Sequence, residues 1–167
     1  MDNIIYLLIF DKEKGSKMKQ KKIDTIDEQI LNELTQHAKM PLRKIAKKLK
    51  MSFVTVMHRI KKLEKEGIII KYTAKINYDL LGYDIHVLVE VRISKGKLLE
   101  LENKLAKFPN IYEVFDTTGE FDAAIMGKFK STKMLDEFVK KIQTLDFVER
   151  TNTKLILNTV KDDQIQL

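Results

Sequence analysis

The change of hydrophobic period after residue 84 restricts the fold of this chain more than any other feature. Ile85, Val87, Val89, Val91 and Ile93 alternate with His86, Leu88, Glu90 and Arg92, the period of a strand with one deeply buried face. Leu98, Leu101, Leu105 and Phe108 follow at helical spacing. Residues 111–117 and 121–129 alternate again on either side of Thr118, Gly119 and Glu120, which predicts a hairpin. Ser131 is suited to cap a further helix with Leu135, Phe138, Ile142 and Leu145 inward, and residues 148–160 predict a last strand.

Strand, helix, strand, strand, helix, strand is the order of the ferredoxin-like split βαβ arrangement, an antiparallel sheet with both helices on one face. The other face must be covered or polar. Leu88, Val114, Ala124, Met126 and Ile156 are expected on it, mixed with His86, Glu90 and Arg92, and a half-apolar face of this kind suggests sheet-to-sheet pairing of two copies.

The first half of the chain keeps the helical period. Thr25 and Glu28 have the spacing of a capping box ahead of the stripe Ile26, Ile30, Leu31 and Leu34. Pro41 suits the first turn of a second helix, to about Lys50, whose buried face is Leu42, Ile45, Ala46 and Leu49. After a turn at Met51, Ser52 can cap a third helix, which Gly67 can end in a left-handed turn. On that helix Phe53, Val56, Ile60 and Leu63 form the predicted buried stripe, and Val54, Thr55, His58, Arg59, Lys61, Lys62 and Lys65 point away. Short helices joined by a tight turn, the last with a basic outward face, are the plan of a helix-turn-helix. Residues 68–70 and 72–76 read as strands of a wing. The expected division is a separable extension over 1–22, a winged helix-turn-helix over 23–71, a connector over 72–84, the sheet domain over 85–160 and a tail over 161–167, an α+β chain throughout. The extension contains a short strand-like run that could add to a partner's sheet; equally it is a start-site artefact, with Met18 the natural first residue.

Charge follows the same division. Residues 1–80 hold 18 Lys and Arg against 10 Asp and Glu, whereas residues 81–167 hold 13 against 14, so the net charge of +7 belongs to the first half. A field confined to one half attracts a polyanion there and leaves the other half for neutral or protein partners. Absence of cysteine excludes disulfides and thiolate metal sites and fits a reducing cytoplasm. The apolar run at 4–10 lacks a basic flank and a small-residue cleavage site, and falls far short of the roughly 20 residues that span a bilayer, so no membrane role is expected.

With IDTIDEQILNEL at 23–34, PLRKIAKKLKMSFVTVMHRIKKLEKEGIIIKYTAKINYDLLG at 41–82 and TTGEFDAAI at 117–125, the chain resembles the Lrp/AsnC, or feast/famine, family of archaeal and bacterial transcription regulators. The resemblance covers about residues 23–160. Its middle stretch is highly specific, and GEFD at 119–122 matches the family's Gly-x-x-Asp loop. It implies a homodimer, often assembled into tetramers or octamers, that binds double-stranded DNA near promoters, and an amino-acid effector lodged between dimers.

On this reading Ser52, Val54, Thr55, His58 and Arg59 reach base edges in the major groove, Val54 against a thymine methyl and Arg59 against guanine or phosphate. Lys61, Lys62, Arg43, Lys44 and Lys47 contact phosphates, so affinity falls steeply with salt. For the effector, the turn Thr117, Thr118, Gly119, Glu120, Phe121 and Asp122 offers backbone N–H groups to a carboxylate and the Asp122 carboxylate to an ammonium, with Thr151 and Thr153 contributed by a neighbouring dimer. The plain alternative is a structural β-turn. His86 and Glu90 read as dimer-face or surface residues, because nothing supplies a third catalytic group. His37, His58 and His86 sit on separate elements, so neither a metal site nor a catalytic centre nor a resident cofactor is expected. Two other readings stand beside the regulator: a siroheme-decarboxylase-like enzyme on the same architecture, and a DNA-architectural protein without an effector.

Overall fold

The computed structural model describes residues 21–94, 96–105 and 107–167. The strand expected at 4–10 and the choice of Met18 as first residue lie outside them. The described chain divides into two compact units, residues 21–76 with Asp162–Leu167, and Asn77–Lys161.

The first unit holds α1 (Thr25–Gln36), α2 (Leu42–Lys48) and α3 (Phe53–Lys65). Its core is Ile30, Leu31, Leu34, Ile45, Ala46, Val56, Ile60 and Leu63, drawn from all three helices at the spacings the sequence predicts. The capping box of α1 sits one residue earlier than expected. Asp24, extended at φ −103°, accepts from the N–H of Asp27 at 2.9 Å, and Asp27 reaches back to the N–H of Asp24 at 3.4 Å, leaving Thr25 as the first helical residue. A carboxylate accepts such a bond more strongly than a hydroxyl. Pro41 is likewise the cap of α2 rather than part of its first turn.

Both α2 and α3 end in the same device. Met51 N–H donates to Ala46 O and Lys50 N–H to Lys47 O after α2; Ile68 N–H donates to Leu63 O and Gly67 N–H to Glu64 O after α3. The left-handed position between these bonds is Gly67 (φ +72°) in α3 but Lys50 (φ +54°) in α2. The wing strands expected at 68–70 and 72–76 do not form. The N–H groups of Ile68 and Ile69 turn back onto Leu63 O, and Tyr72 donates its hydroxyl to Glu64 of α3 at 2.8 Å, so this segment follows the helix instead of pairing with a strand.

In the second unit β1 (Ile85–Ile93), α4 (Leu98–Leu105), β2 (Ile111–Asp116), β3 (Ala123–Phe129), α5 (Thr132–Gln143) and β4 (Val148–Leu155) follow the predicted order. The sheet runs β2-β3-β1-β4 with every neighbouring pair antiparallel. Val87, Val89, Val91, Ala123, Ile125 and Phe129 pack beneath Leu101, Leu105, Phe138 and Ile142 of the two helices. Gly127 belongs to this face for steric reasons: a Cβ there would lie 2.8 Å from Ile111 Cδ1 and 2.9 Å from Phe129 Cε2.

Two expectations about the sheet change. An irregularity between Ile111 and Glu113 shifts β2, so Val114 pairs with Ile125 and packs into the core, while Glu113 and Phe115 pair with Met126 and Ala124. The last strand stops at Leu155 rather than Val160. Its last ladder pair is Leu155 with Val87, and Ile156 N–H still donates to His86 O at 2.8 Å.

Candidate nucleic-acid interface and effector loop

The third helix is anchored by its own first turn. Ser52 Oγ accepts from Thr55 N–H at 3.0 Å and lies 2.7 Å from Thr55 Oγ1, so both hydroxyls are engaged at the helix start. Phe53, predicted to be buried, is 41% exposed, because it is the first helical residue and lies beyond the core that Val56, Ile60 and Leu63 complete. Arg43 of α2 holds its guanidinium 5.8 Å from the Phe53 ring centre. Val54 is 53% exposed, and Thr55, His58, Lys61 and Lys62 are also exposed. Lys44 and Lys47 on α2 are exposed as well, and among the described residues none of these four lysines forms an ion pair. Lys48 does, with Glu33 at 2.6 Å.

Arg59 departs from the predicted pattern. Its guanidinium lies 2.7 Å from Asp27, whose side chain is 1% exposed, and 2.7 Å from Asp24, the cap of α1. The bond from Arg59, then the N–H of Asp27, hold the Asp24 carboxyl below its ordinary range, and the same two carboxylates raise the Arg59 pKa. A residue expected to reach bases is therefore a bridge between α3 and the start of α1. Nothing in the spacing of α3 reveals this; the signal available was Asp24 and Asp27 at capping distance.

The hairpin loop consumes much of its own polarity. Thr117 N–H donates to Asp122 O at 3.0 Å and Thr117 Oγ1 to Phe121 O at 2.8 Å. The Asp122 carboxylate accepts from the N–H of Ile93 at 2.9 Å, tying the loop to the end of β1. Glu120 is held by Arg150 at 2.9 Å through its carboxylate and by Arg92 at 2.6 Å through its carbonyl, and Arg150 also lies 5.6 Å from the Phe121 ring centre. Gly119 takes φ +118°, which only glycine adopts readily. Thr118 is exposed. Thr151 and Thr153 pair with Val91 and Val89 and so share the helix-covered face of β4; the Thr151 hydroxyl accepts from Gln143 of α5 at 2.8 Å. The loop meets Arg92 and Arg150 instead. Both arginines escape a sequence reading because their position opposite each other depends on the β1–β4 register.

On the open sheet face His86 and Tyr112 lie 2.6 Å apart, and Glu90 pairs with Lys154 at 2.9 Å and accepts from Asn152 at 2.8 Å. The Lys154 bond, followed by that of Asn152, lowers the Glu90 pKa. Among the described residues no three His, Asp or Glu side chains converge to hold a metal ion, and no helix is long and apolar enough to cross a membrane.

A helix-turn-helix with a basic outward face, joined in one chain to a four-stranded antiparallel sheet backed by two helices, defines a DNA-binding regulator of transcription. The winged helix-turn-helix DNA-binding family matches residues 23–70, and the Lrp/AsnC ligand binding domain matches residues 86–165. An uncharacterized HTH-type transcriptional regulator of Pyrococcus furiosus is 38% identical over 141 residues, covering 84% of this chain and 95% of its own. The structure of E. coli AsnC aligns with a TM-score of 0.82 at 26% identity, over 88% of this chain and all of that one. The L-Met complex of the transcriptional regulator NMB0573 from Neisseria meningitidis has the same fold, with a TM-score of 0.82 at 21% identity over 87% of this chain and 96% of its own. This chain belongs to the Lrp/AsnC family of transcriptional regulators.

Proposed function

We propose that the protein is a cytoplasmic regulator that binds double-stranded DNA as a homodimer or larger assembly, inserts α3 into the major groove, and is modulated by an amino acid bound at its sheet domain. The observation that carries the DNA reading is the outward side of α3. Val54, Thr55 and His58 project from its first two turns, Lys61 and Lys62 from the next, and Arg43, Lys44 and Lys47 of α2 stand alongside. Groups at the helix start meet base edges while the lysines meet phosphates. Two such helices in a dimer engage a pseudo-palindromic site with half-sites a helical turn, or a multiple of it, apart.

The effector reading is supported by the ligand-binding domain match and by the methionine complex of the Neisseria regulator. Arg92 and Arg150, exposed beside the hairpin and paired there with Glu149 and Glu120, are cations that an effector carboxylate would share with those acids. Selection from random DNA with the full chain, at several salt concentrations, is expected to enrich a pseudo-palindromic sequence with affinity that falls steeply with salt. Failure to retain duplex at low salt overturns the DNA reading. Melting with each of the twenty amino acids is expected to rise for the effector alone, since a ligand of the folded form stabilises it; twenty flat responses favour a DNA-architectural protein.

A further inference from the structure

The side chains at the start of α3 divide in a way that bears on which bases the protein selects. Phe53 and Val54 are adjacent, apolar and exposed at 41% and 53%, at the end of the helix that enters the groove first. Exposed apolar groups need no explanation singly. Here, however, they occupy the leading edge of a DNA-reading helix, and Arg43 holds a cation against the outer ring. The Ser52 and Thr55 hydroxyls beside them bond to each other and to the helix start.

The guanidinium on α3, the group best able to recognise guanine, is tethered through one of its nitrogens to the start of α1. Arginine reads guanine by presenting two donors to O6 and N7. Arg59 Nη1 instead lies 2.7 Å from Asp27 and between 2.7 and 2.8 Å from the two oxygens of Asp24. Swinging it away to a base would leave the buried Asp27 carboxylate without its counter-charge, which opposes that movement.

We propose that the leading edge of α3 selects A·T pairs by apolar contact of Phe53 and Val54 with thymine 5-methyl groups, and that Arg59 takes no part in base reading because Asp24 and Asp27 hold it as a strut between α3 and α1. The thymine methyl is the one apolar group that the major groove displays, so an apolar edge distinguishes thymine from every other base there. This inference rests on the proposed insertion of α3 into DNA. It concerns the base pairs facing Phe53 and Val54, whereas His58, one turn further on, remains a polar reader of the next positions.

The test begins with the site enriched from random DNA by the full wild-type chain. Thymine is expected at one or two adjacent positions of each half-site, and replacing those thymines by deoxyuridine, which removes the methyl alone, is expected to weaken binding about fourfold per methyl. Val54→Ala and Phe53→Ala should bind thymine and deoxyuridine duplexes alike. Arg59 is examined by its effect on base preference, which a strut does not alter. Because Arg59→Ala strands a buried carboxylate, the double variant Asp27→Leu with Arg59→Met, which removes both charges together, is selected in parallel, and both variants should enrich the wild-type bases. Equal wild-type affinity for deoxyuridine and thymine duplexes overturns the methyl reading, and loss of a preferred guanine in either Arg59 variant overturns the strut. Neither result touches DNA binding itself, whereas absence of any retained duplex at low salt removes the underlying reading of α3.

Discussion

The recognition helix and the β2–β3 hairpin both carry polar residues that suggest a ligand, yet they place those residues differently. Thr55, His58, Lys61 and Lys62 remain exposed on α3, because a helix satisfies its own backbone and leaves its outer face free. The hairpin has no such internal ladder at its tip. Its turn is closed by the groups that seemed available to an effector: Thr117 bonds within the loop and Asp122 bonds Ile93. Arg59 is the exception on the helix, since Asp24 and Asp27 are within its reach. Outward direction is therefore a good guide to exposure on a regular element and a poor one in a turn, where backbone donors compete for a carboxylate such as that of Asp122.

The largest test of that contrast is Arg59→Ala, expected to destabilise folding by about 3 kcal/mol in chemical denaturation because Asp27 loses its buried counter-charge. Asp27→Leu with Arg59→Met is expected to lie much closer to wild type. A loss for Arg59→Ala within about 0.5 kcal/mol, the range of an ordinary surface substitution, would return Arg59 to the free face of α3.

Asp122→Ala is expected to cost about 1–2 kcal/mol by leaving the Ile93 N–H without its acceptor. Asp122→Asn, which keeps a carbonyl acceptor, is expected to melt between that variant and wild type. Unchanged melting of Asp122→Ala, combined with a lost amino-acid response, would make the hairpin resemble the helix, with its carboxylate free for ligand.

Acid separates the regions more gently. The folded-state pKa of Asp24 lies below its ordinary 3.8, so its pairing stabilises the fold fully above that value and is lost as pH falls through the lowered one. Denaturation followed downward from pH 5 is expected to show a shallower acid loss in Asp24→Asn than in wild type. Identical profiles would show that the exposed half of the Arg59 bridge contributes nothing.

The smallest effect concerns backbone strain. Lys50 occupies the left-handed position that Gly67 fills at the next helix end, so Lys50→Gly is expected to raise stability by about 0.5 kcal/mol and Gly67→Ala to lower it by about 1 kcal/mol. Opposite signs in thermal melts confirm that the two ends share one geometry; a gain from Gly67→Ala would refute it.

Much of this was legible in the chain. The helical stripes of α1 to α3, apart from Phe53, the alternation of β1 and the Ser52 and Ser131 caps form where predicted, because each depends on neighbours within a few residues. The exposed positions Val54, Thr55, His58, Lys61 and Lys62 of α3 followed from the same periodicity, whereas Arg59 and Phe53 did not. Other features needed distant partners. Val114 changed faces through one irregularity in β2, residues 68–76 followed α3 instead of forming strands, and the last strand ended at the pair Leu155 with Val87. The register that sets Thr151 and Thr153 opposite Val91 and Val89 was likewise not legible in the sequence.

By itself the sequence determined the order of the five α-helices and four sheet strands, the basic character of the first half and the family to which the chain belongs, since local spacing and composition suffice for these. Tertiary structure decided which polar groups remain available. Arg59 and Asp122 are set apart by a partner, 32 residues away for Arg59 and 29 for Asp122, brought within hydrogen-bond reach by packing. Arg59, held to the buried Asp27, is part of the fold, whereas Lys61 and Lys62 stay exposed with no ion pair among the described residues.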